Sequence, residues 1–284
     1  MTKDQRSEII SGRSVTRVAR ATSGSARGLA CQDGRMTQVP EECALPTDPA
    51  RANDYDSFAE LYTAENETNL YNAYYERPAM LELAGDVAGR RILDAGCGSG
   101  PLSAALRDRG AIVSGIDAST GMLELARQRL GADADLRVAD LAGPLPFSTA
   151  AFDDVVASLV LHYLEDWGPT LTELRRVLIP GGRLLVSVDH PFVAYGVQRL
   201  AGRSPNYFET YKWTFNWTLG DRTVPMSFWA RPLHAMTDAF TAAGFHISLI
   251  CEPQPVPAAR ELFPEQYRAL TTGPNFLFFV LHSS

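Results

Sequence analysis

Cysteine is scarce and unpatterned in this sequence. Cys31, Cys43, Cys97 and Cys251 include no CxxC pair and have no histidine at zinc-ligand spacing, so no metal site is expected. Long apolar runs are missing too. The longest, VVASLVL (Val155–Leu161) and FLFFVL (Phe276–Leu281), fall well short of the roughly 18 residues that span a bilayer, and no membrane span is expected. Positive charge is in deficit, with 26 Lys and Arg against 33 Asp and Glu, net −7. That balance argues against nucleic acid as the partner and leaves a small molecule. No aromatic residue precedes Tyr55, and the first 36 residues, rich in Ser, Arg and Gly, hold seven Lys or Arg against three acids. Such a stretch cannot build a core. Residues 1–50 read as a flexible or partner-packing extension, with a transit peptide, or a true start at Met36, as alternatives. No apolar segment follows Met1, so a cytoplasmic setting with reduced thiols is the expectation.

What is present from residue 51 onward is the pattern of one large domain. Phe58, Leu61 and Tyr62 share a helical face that Leu70, Tyr74 and Tyr75 continue, before Pro78 starts a new turn. RRILDAGCGSG then reads as a short buried strand (Arg91–Ala95), a glycine turn, and a helix from Pro101 to about Arg109. The unit repeats as a strand over Ala111–Asp117 and the helix STGMLELARQRL, with Ser119 or Thr120 as its N-cap. Further strands are expected at Leu136–Asp140, in FDDVVASLVL, and at Arg183–Asp189 after a PGG turn, with a helix over Thr170–Leu178. Pro232–Phe245 reads as a helix closed by Gly244, and strands at His246–Cys251 and Asn275–His282 follow with no helix between them, as an antiparallel pair. Alternating strands and helices predict an α/β fold with a doubly wound, mostly parallel sheet.

In such sheets ligands bind beyond the carboxyl ends of the strands, where the glycine turn falls. Gly96, Gly98 and Gly100 let backbone N–H groups approach a ligand closely. Their spacing departs from GxGxxG, and Asp94, two residues ahead, repels a pyrophosphate and suits an ammonium group. Asp117 closes the second strand, where a carboxylate can accept from both ribose hydroxyls, and Asp140 closes the third, where one can accept from an exocyclic amine. Each strand-end Asp has a simpler role open to it as an N-cap, and Cys97 as a small packing residue. Together the three acids describe a site for a ligand with an ammonium, a ribose and an adenine but no phosphates, which S-adenosylmethionine fits.

Here the sequence resembles the class I S-adenosylmethionine-dependent methyltransferases. LDAGCGSG looks like their first motif, GIDAS their second-strand acid, VADLAGPLPF their adenine segment and LIPGGRLLVS the stretch before their fifth strand. The resemblance covers roughly 55–281. It implies a Rossmann-like, seven-stranded sheet ending in an antiparallel strand pair, and a cofactor core over 90–190. It places Gly96, Gly98 and Gly100 along the methionine moiety, Asp117 on the ribose, Met122 near the adenine, and Asp140 with Leu141 at its amine. Asp94, Cys97, Ala118 and Ser158 complete the expected cofactor set.

The acceptor side is expected in 190–231, which is too long for a simple crossover and holds ten of the chain's 27 aromatic residues. It reads as an inserted aromatic lid. YKWTFNWTL alternates with period two, so a β-hairpin with rings packed on the sheet or on a subunit interface is one reading. The other is an aromatic-walled cavity for a hydrophobic acceptor, with Tyr195, Trp213 and Trp217 on one side and Tyr62, Tyr71 and Tyr75 opposite. His162 and His190 are the candidate bases, each with an alternative role on the rim, and Asp189 stands beside His190 to orient it or to cap the turn. The expected function is methyl transfer to a small hydrophobic metabolite in secondary or quinone- and lipid-like metabolism, by a chain that could form homo-oligomers. The rival is an interaction protein that keeps the cofactor pocket without chemistry. A nicotinamide-dependent oxidoreductase is disfavoured by Asp94 and the glycine spacing.

Overall fold

A computed structural model describes residues 29–32, 35–39 and 53–284. The extension expected over 1–50 lies outside the described residues apart from two short antiparallel strands, β1 (Leu29–Gln32) and β2 (Arg35–Val39). Helices α1 (Ala59–Thr68) and α2 (Arg77–Ala84) follow, separated by a wide π turn over Asn72–Glu76, and Pro78 lies in the first turn of α2. The helical path is continuous there, and the Tyr74 carbonyl that the missing Pro78 N–H leaves free accepts instead from Val256 N–H at 2.8 Å.

Strand β3 (Arg91–Ala95), helix α3 (Pro101–Asp108) and strand β4 (Ile112–Asp117) reproduce the expected first unit. Helix α4 (Thr120–Leu130) is capped by the Ser119 hydroxyl, which accepts from the Met122 N–H at 3.0 Å. Then come β5 (Asp135–Val138), β6 (Phe152–Ser158), α5 (Gly168–Val177) and β7 (Leu178–Asp189). Helix α6 (Pro191–Leu200) leads into a hairpin of β8 (Tyr211–Leu219) and β9 (Arg222–Ala230). Helix α7 (Leu233–Ala242), β10 (Phe245–Cys251), α8 (Ala259–Leu262), α9 (Pro264–Leu270) and β11 (Phe276–Ser283) complete the chain.

The seven-stranded sheet has the order β10-β11-β7-β6-β3-β4-β5, and β11 alone runs against the others. The period-two side-chain alternation sends Ile92 and Val156 to one face and Leu93 and Val155 to the other, each fully buried. One face is covered by α5 and α7 through Leu171, Leu174 and Phe240, the other by α2 and α3 through Met80 and Leu106. From β3 the chain moves outward to β5 and returns to β6 beside β3, so the switch point lies between the carboxyl ends of β3 and β6.

Three local expectations need correction. The fourth strand stops at Ser158 because Leu159 takes a positive φ of 48°, turning the chain where aliphatic residues continue. The PGG segment does not end a helix–strand connection as a turn; it is a bulge within the 12-residue β7, where the pairing with β6 shifts register between Phe152 and Asp154. The last two strands do have helices between them, α8 and α9, which bury Ala259 and Leu270 against the face that holds Phe276 and Phe278.

Candidate active site

At the switch point a cavity of about 290 Å³ opens between the glycine turn, the ends of β3 to β6, and the N-terminal helices. The turn is fixed to β4 by backbone hydrogen bonds from Gly96 and Cys97 to the Ile116 carbonyl, at 2.8 and 2.9 Å. Gly96 has φ 81°, and a Cβ there would meet Val160 Cγ2 at 2.5 Å, so a side chain is excluded on both counts. Gly98, at φ 54°, faces open space on the cavity wall, where any side chain would occupy the room left for a ligand.

The carboxylates are set by their strands. Asp94 is 1% exposed and accepts from Ser103 Oγ at 2.6 Å. Burial pushes its carboxyl up to about 7 against that hydrogen bond, with the charges of Glu76 and Asp117 adding to the rise. Asp117 accepts from Gly98 N–H on one oxygen and Ser119 N–H on the other, at 2.8 and 2.9 Å, and burial raises it as well. Each oxygen keeps a lone pair for a ligand. Asp140 lies two residues beyond β5, accepts from Ala142 N–H at 2.9 Å, and lines the cavity beside Leu141. Ala118, Met122, Ser158 and Cys97 line it too, whereas Gly100 does not. Gly100 starts α3 with φ 78°, and an added Cβ would press on Leu130 at 3.1 Å. Cys97 is 5% exposed with its thiol pushed far up by burial, the state of a packing residue rather than a nucleophile.

The acceptor expectations fare unevenly. Tyr62 lines the cavity, and Trp217 reaches it by stacking on Tyr62 at 6.1 Å with the rings 2° from parallel. Tyr75 is buried against Phe276 and Phe278, and Tyr71 meets Phe276 edge-on, so both belong to the core under β11. Tyr195 lies on α6 against Tyr207. Trp213 is 8% exposed inside the hairpin core, stacked on Phe215.

Neither histidine is brought to the cavity, a correction with two causes. His190 directly follows β7, one strand beyond the switch-point pair. Its Nδ1 accepts from Phe192 N–H to cap α6, and its Nε2 pairs with Glu252 at 2.9 Å. His162 stands in a tight turn whose next residue, Tyr163, takes the cavity side. The His162 ring is buried edge-on against Tyr163 and Phe228, 3.8 Å from Asp189, and burial lowers its pKa against the pull of that carboxylate.

Residues 93–186 match a family model described as "Methyltransferase domain". The chain is also similar to a solved S-adenosylmethionine-dependent methyltransferase from Mesorhizobium loti, at 27% identity and TM-score 0.57, over 72% of this chain and 95% of that one. The chain carries a class I S-adenosylmethionine-dependent methyltransferase domain. Among curated relatives, a demethylmenaquinone methyltransferase from Clavibacter sepedonicus is 40% identical over 134 residues, 45% of this chain and 55% of that protein. A malonyl-[acyl-carrier protein] O-methyltransferase from Serratia marcescens is 40% identical over 108 residues, 38% of this chain and 42% of that protein. The chain spans about half the length of the curated relatives it matches.

The methyltransferase domain adds cavity residues that sequence reasoning missed. Glu76 is 3% exposed and accepts from Ser158 Oγ at 2.7 Å and Ser187 Oγ at 2.5 Å, with burial raising its pKa. Its signal was its helical phase, shared with the buried Ala79 and Met80. Tyr55 and Tyr163 join hydroxyl to hydroxyl on the cavity wall, and burial lifts both phenols well above their usual range. Arg77 lines the wall and donates to Asn66. Asn53 pins this N-terminal strap to the hairpin through hydrogen bonds with Pro225 and Ser227.

Proposed function

We propose that the protein transfers a methyl group from S-adenosylmethionine to a small acceptor with an apolar body. The observation that carries this reading is the set of carboxylates around one cavity of about 290 Å³ floored by Gly98: Asp94 and Asp117 at the ends of β3 and β4, and Asp140 in the loop just past β5. With Glu76 they crowd acidic groups around one pocket, and burial opposes the ionisation of Asp94, Asp117 and Glu76. A ligand with two positive centres suits it, since each would relieve that opposition. When bound, S-adenosylmethionine supplies a methyl group activated by its sulfonium.

In this reading Asp94 and Glu76 attract the ammonium, Arg77 the amino-acid carboxylate, Asp117 the ribose hydroxyls and Asp140 the adenine amine. Met122 and Leu141 supply the apolar wall for the base. Tyr55, Tyr62 and Tyr163 exclude water on the acceptor side. Their raised phenols act as hydrogen-bond donors at neutral pH rather than bases, and methyl transfer needs alignment before it needs a base. The rings of Tyr62, Trp217 and Phe228 favour an apolar acceptor body. The demethylmenaquinone methyltransferase among the relatives supports the same class, although its match covers 45% of this chain.

Calorimetric titration with S-adenosylhomocysteine, beside Asp117→Ala, tests the reading. The expected result is micromolar binding that weakens about tenfold to a hundredfold in the variant. Transfer of labelled methyl is then sought over a panel including a demethylated quinone and a malonyl thioester. A wild-type protein that binds nothing after removal of copurified ligand overturns the reading.

A further inference from the structure

The surface outside the hairpin core carries a feature that methyl transfer does not use. Three of its large apolar side chains stand in solvent: Phe192 is 54% exposed, Leu200 71% and Phe208 72%. Phe192 and Phe208 are joined through Tyr207, which Phe192 stacks on at 5.1 Å and which meets Phe208 at 5.3 Å. Arg199 lies seven residues after Phe192, on the same side of α6, and Arg203 follows just past the helix end, where Gly202 at φ 74° turns the chain. Neither guanidinium has an ion-pair partner among the described residues. Residues 190–212 hold Arg199, Arg203 and Lys212 against Glu209 alone, in a chain of net charge −7.

We propose that this side of α6, with the segment that follows it, docks on an anionic lipid surface. Protruding rings flanked by unpaired arginines are the chemistry of interfacial insertion: apolar groups enter the acyl boundary while the cations meet negative headgroups. Charge decides among occupants. A second copy meeting this patch would set arginine against arginine, and the 36 leading residues, with seven Lys or Arg against three acids, are repelled from it. The position adds sense to the proposal. The inner side of α6 packs through Ala194 into the cluster of Trp213, Met226 and Phe228, against which Tyr55, Tyr62 and Tyr163 lean from the cavity wall. The docking proposal rests on the surface alone and stands whether or not the methyl acceptor is a lipid.

Sedimentation of the full chain with phosphatidylglycerol–phosphatidylcholine vesicles, and with phosphatidylcholine alone, provides the test. Binding is expected to the anionic vesicles only, and to weaken with salt. Arg199→Ser with Arg203→Ser should weaken it about thirtyfold, from the loss of two charges near the surface. Phe192→Ser with Phe208→Ser should abolish it, while S-adenosylhomocysteine affinity in both variants stays at the wild-type value and separates this outcome from failure of the cofactor reading. Absence of vesicle binding, or binding that the variants leave intact, overturns the proposal. So does a concentration-dependent dimer that Phe208→Ser dissociates, or loss of vesicle binding in favour of an acidic protein held by the same arginines.

Discussion

The backbone N–H of Gly98 donates to Oδ2 of Asp117 at 2.8 Å, so the glycine turn after β3 and the acid at the end of β4 are one preorganised unit. With Ser119 N–H on the other oxygen, Asp117 is held by two donors before any ligand arrives. Asp117→Asn places an amide NH₂ against one of those N–H groups, donor facing donor. The variant is expected to lose about 1–3 kcal/mol of stability without ligand as well as S-adenosylhomocysteine affinity. Thermal unfolding and calorimetry together check it, and unchanged unfolding would mean that the two hydrogen bonds do not hold the turn.

The pH dependence follows from Asp94, whose carboxyl stands at about 7 in the folded chain against 3.8 as its ordinary value. Between those values the folded state binds a proton that the unfolded state has released. The stabilisation present below 3.8 is therefore lost as pH rises through about 7. A cationic ligand favours the ionised carboxylate, so its binding releases a proton and tightens from pH 5 toward 7. Titration of S-adenosylhomocysteine in buffers of different protonation enthalpy should show that release at pH 6, and Asp94→Asn should remove it.

Much of this site was legible because glycine and aspartate announce themselves at strand ends. Arg91–Ala95, the Ser119 cap and the antiparallel pairing of the last two strands are set by local pattern, and the structure returns them. What local pattern does not carry is which neighbour a side chain meets across the fold. The partners of Glu76, Ser158 and Ser187, lie 82 and 111 residues away, and only the folded chain brings them to it. His190 reads as a base at a strand end until Phe192 N–H and Glu252 take its two nitrogens. The PGG segment reads as a turn because a bulge within a paired strand uses the same residues.

At the opposite end of the sheet from the cavity, Asp154 is a structural counterpart to Asp94. It is 1% exposed and accepts from Arg90 Nε and Nη2 at 2.5 and 2.7 Å and from Arg183 Nε and Nη2 at 2.8 Å each. Burial raises its pKa, but the hydrogen bonds from Arg183 and Arg90 outweigh burial and hold it low. Its contribution is therefore present above the ordinary carboxylate range and lost as pH falls through the lowered value, opposite in sign to that of Asp94. Asp154→Ala leaves two guanidinium groups without their partner and should cost about 2–4 kcal/mol, or roughly 10 °C in Tm. Affinity for S-adenosylhomocysteine in the folded fraction should not change.

The two tryptophans of β8 separate the hairpin's structural role from its part in the acceptor site. Trp213 is buried at 8% exposure against Phe215 and Phe228, whereas Trp217 stacks on Tyr62, whose other neighbour on the cavity wall is Tyr55 at 5.0 Å. Trp213→Ala opens a void inside the hairpin and should lower stability by about 3–5 kcal/mol. Trp217→Ala removes an outer ring and frees Tyr62 to move, so it should leave unfolding within about 1 kcal/mol of wild type, lower turnover about tenfold or more, and spare cofactor affinity. Tyr62→Ala should reproduce the turnover defect of Trp217→Ala, and the double variant should be no worse than the Tyr62 single variant, because the tryptophan acts through the tyrosine. Additive losses in the double variant would mean that Trp217 touches the acceptor itself, and equal losses of turnover and cofactor affinity would mean that the stack serves the cofactor cavity.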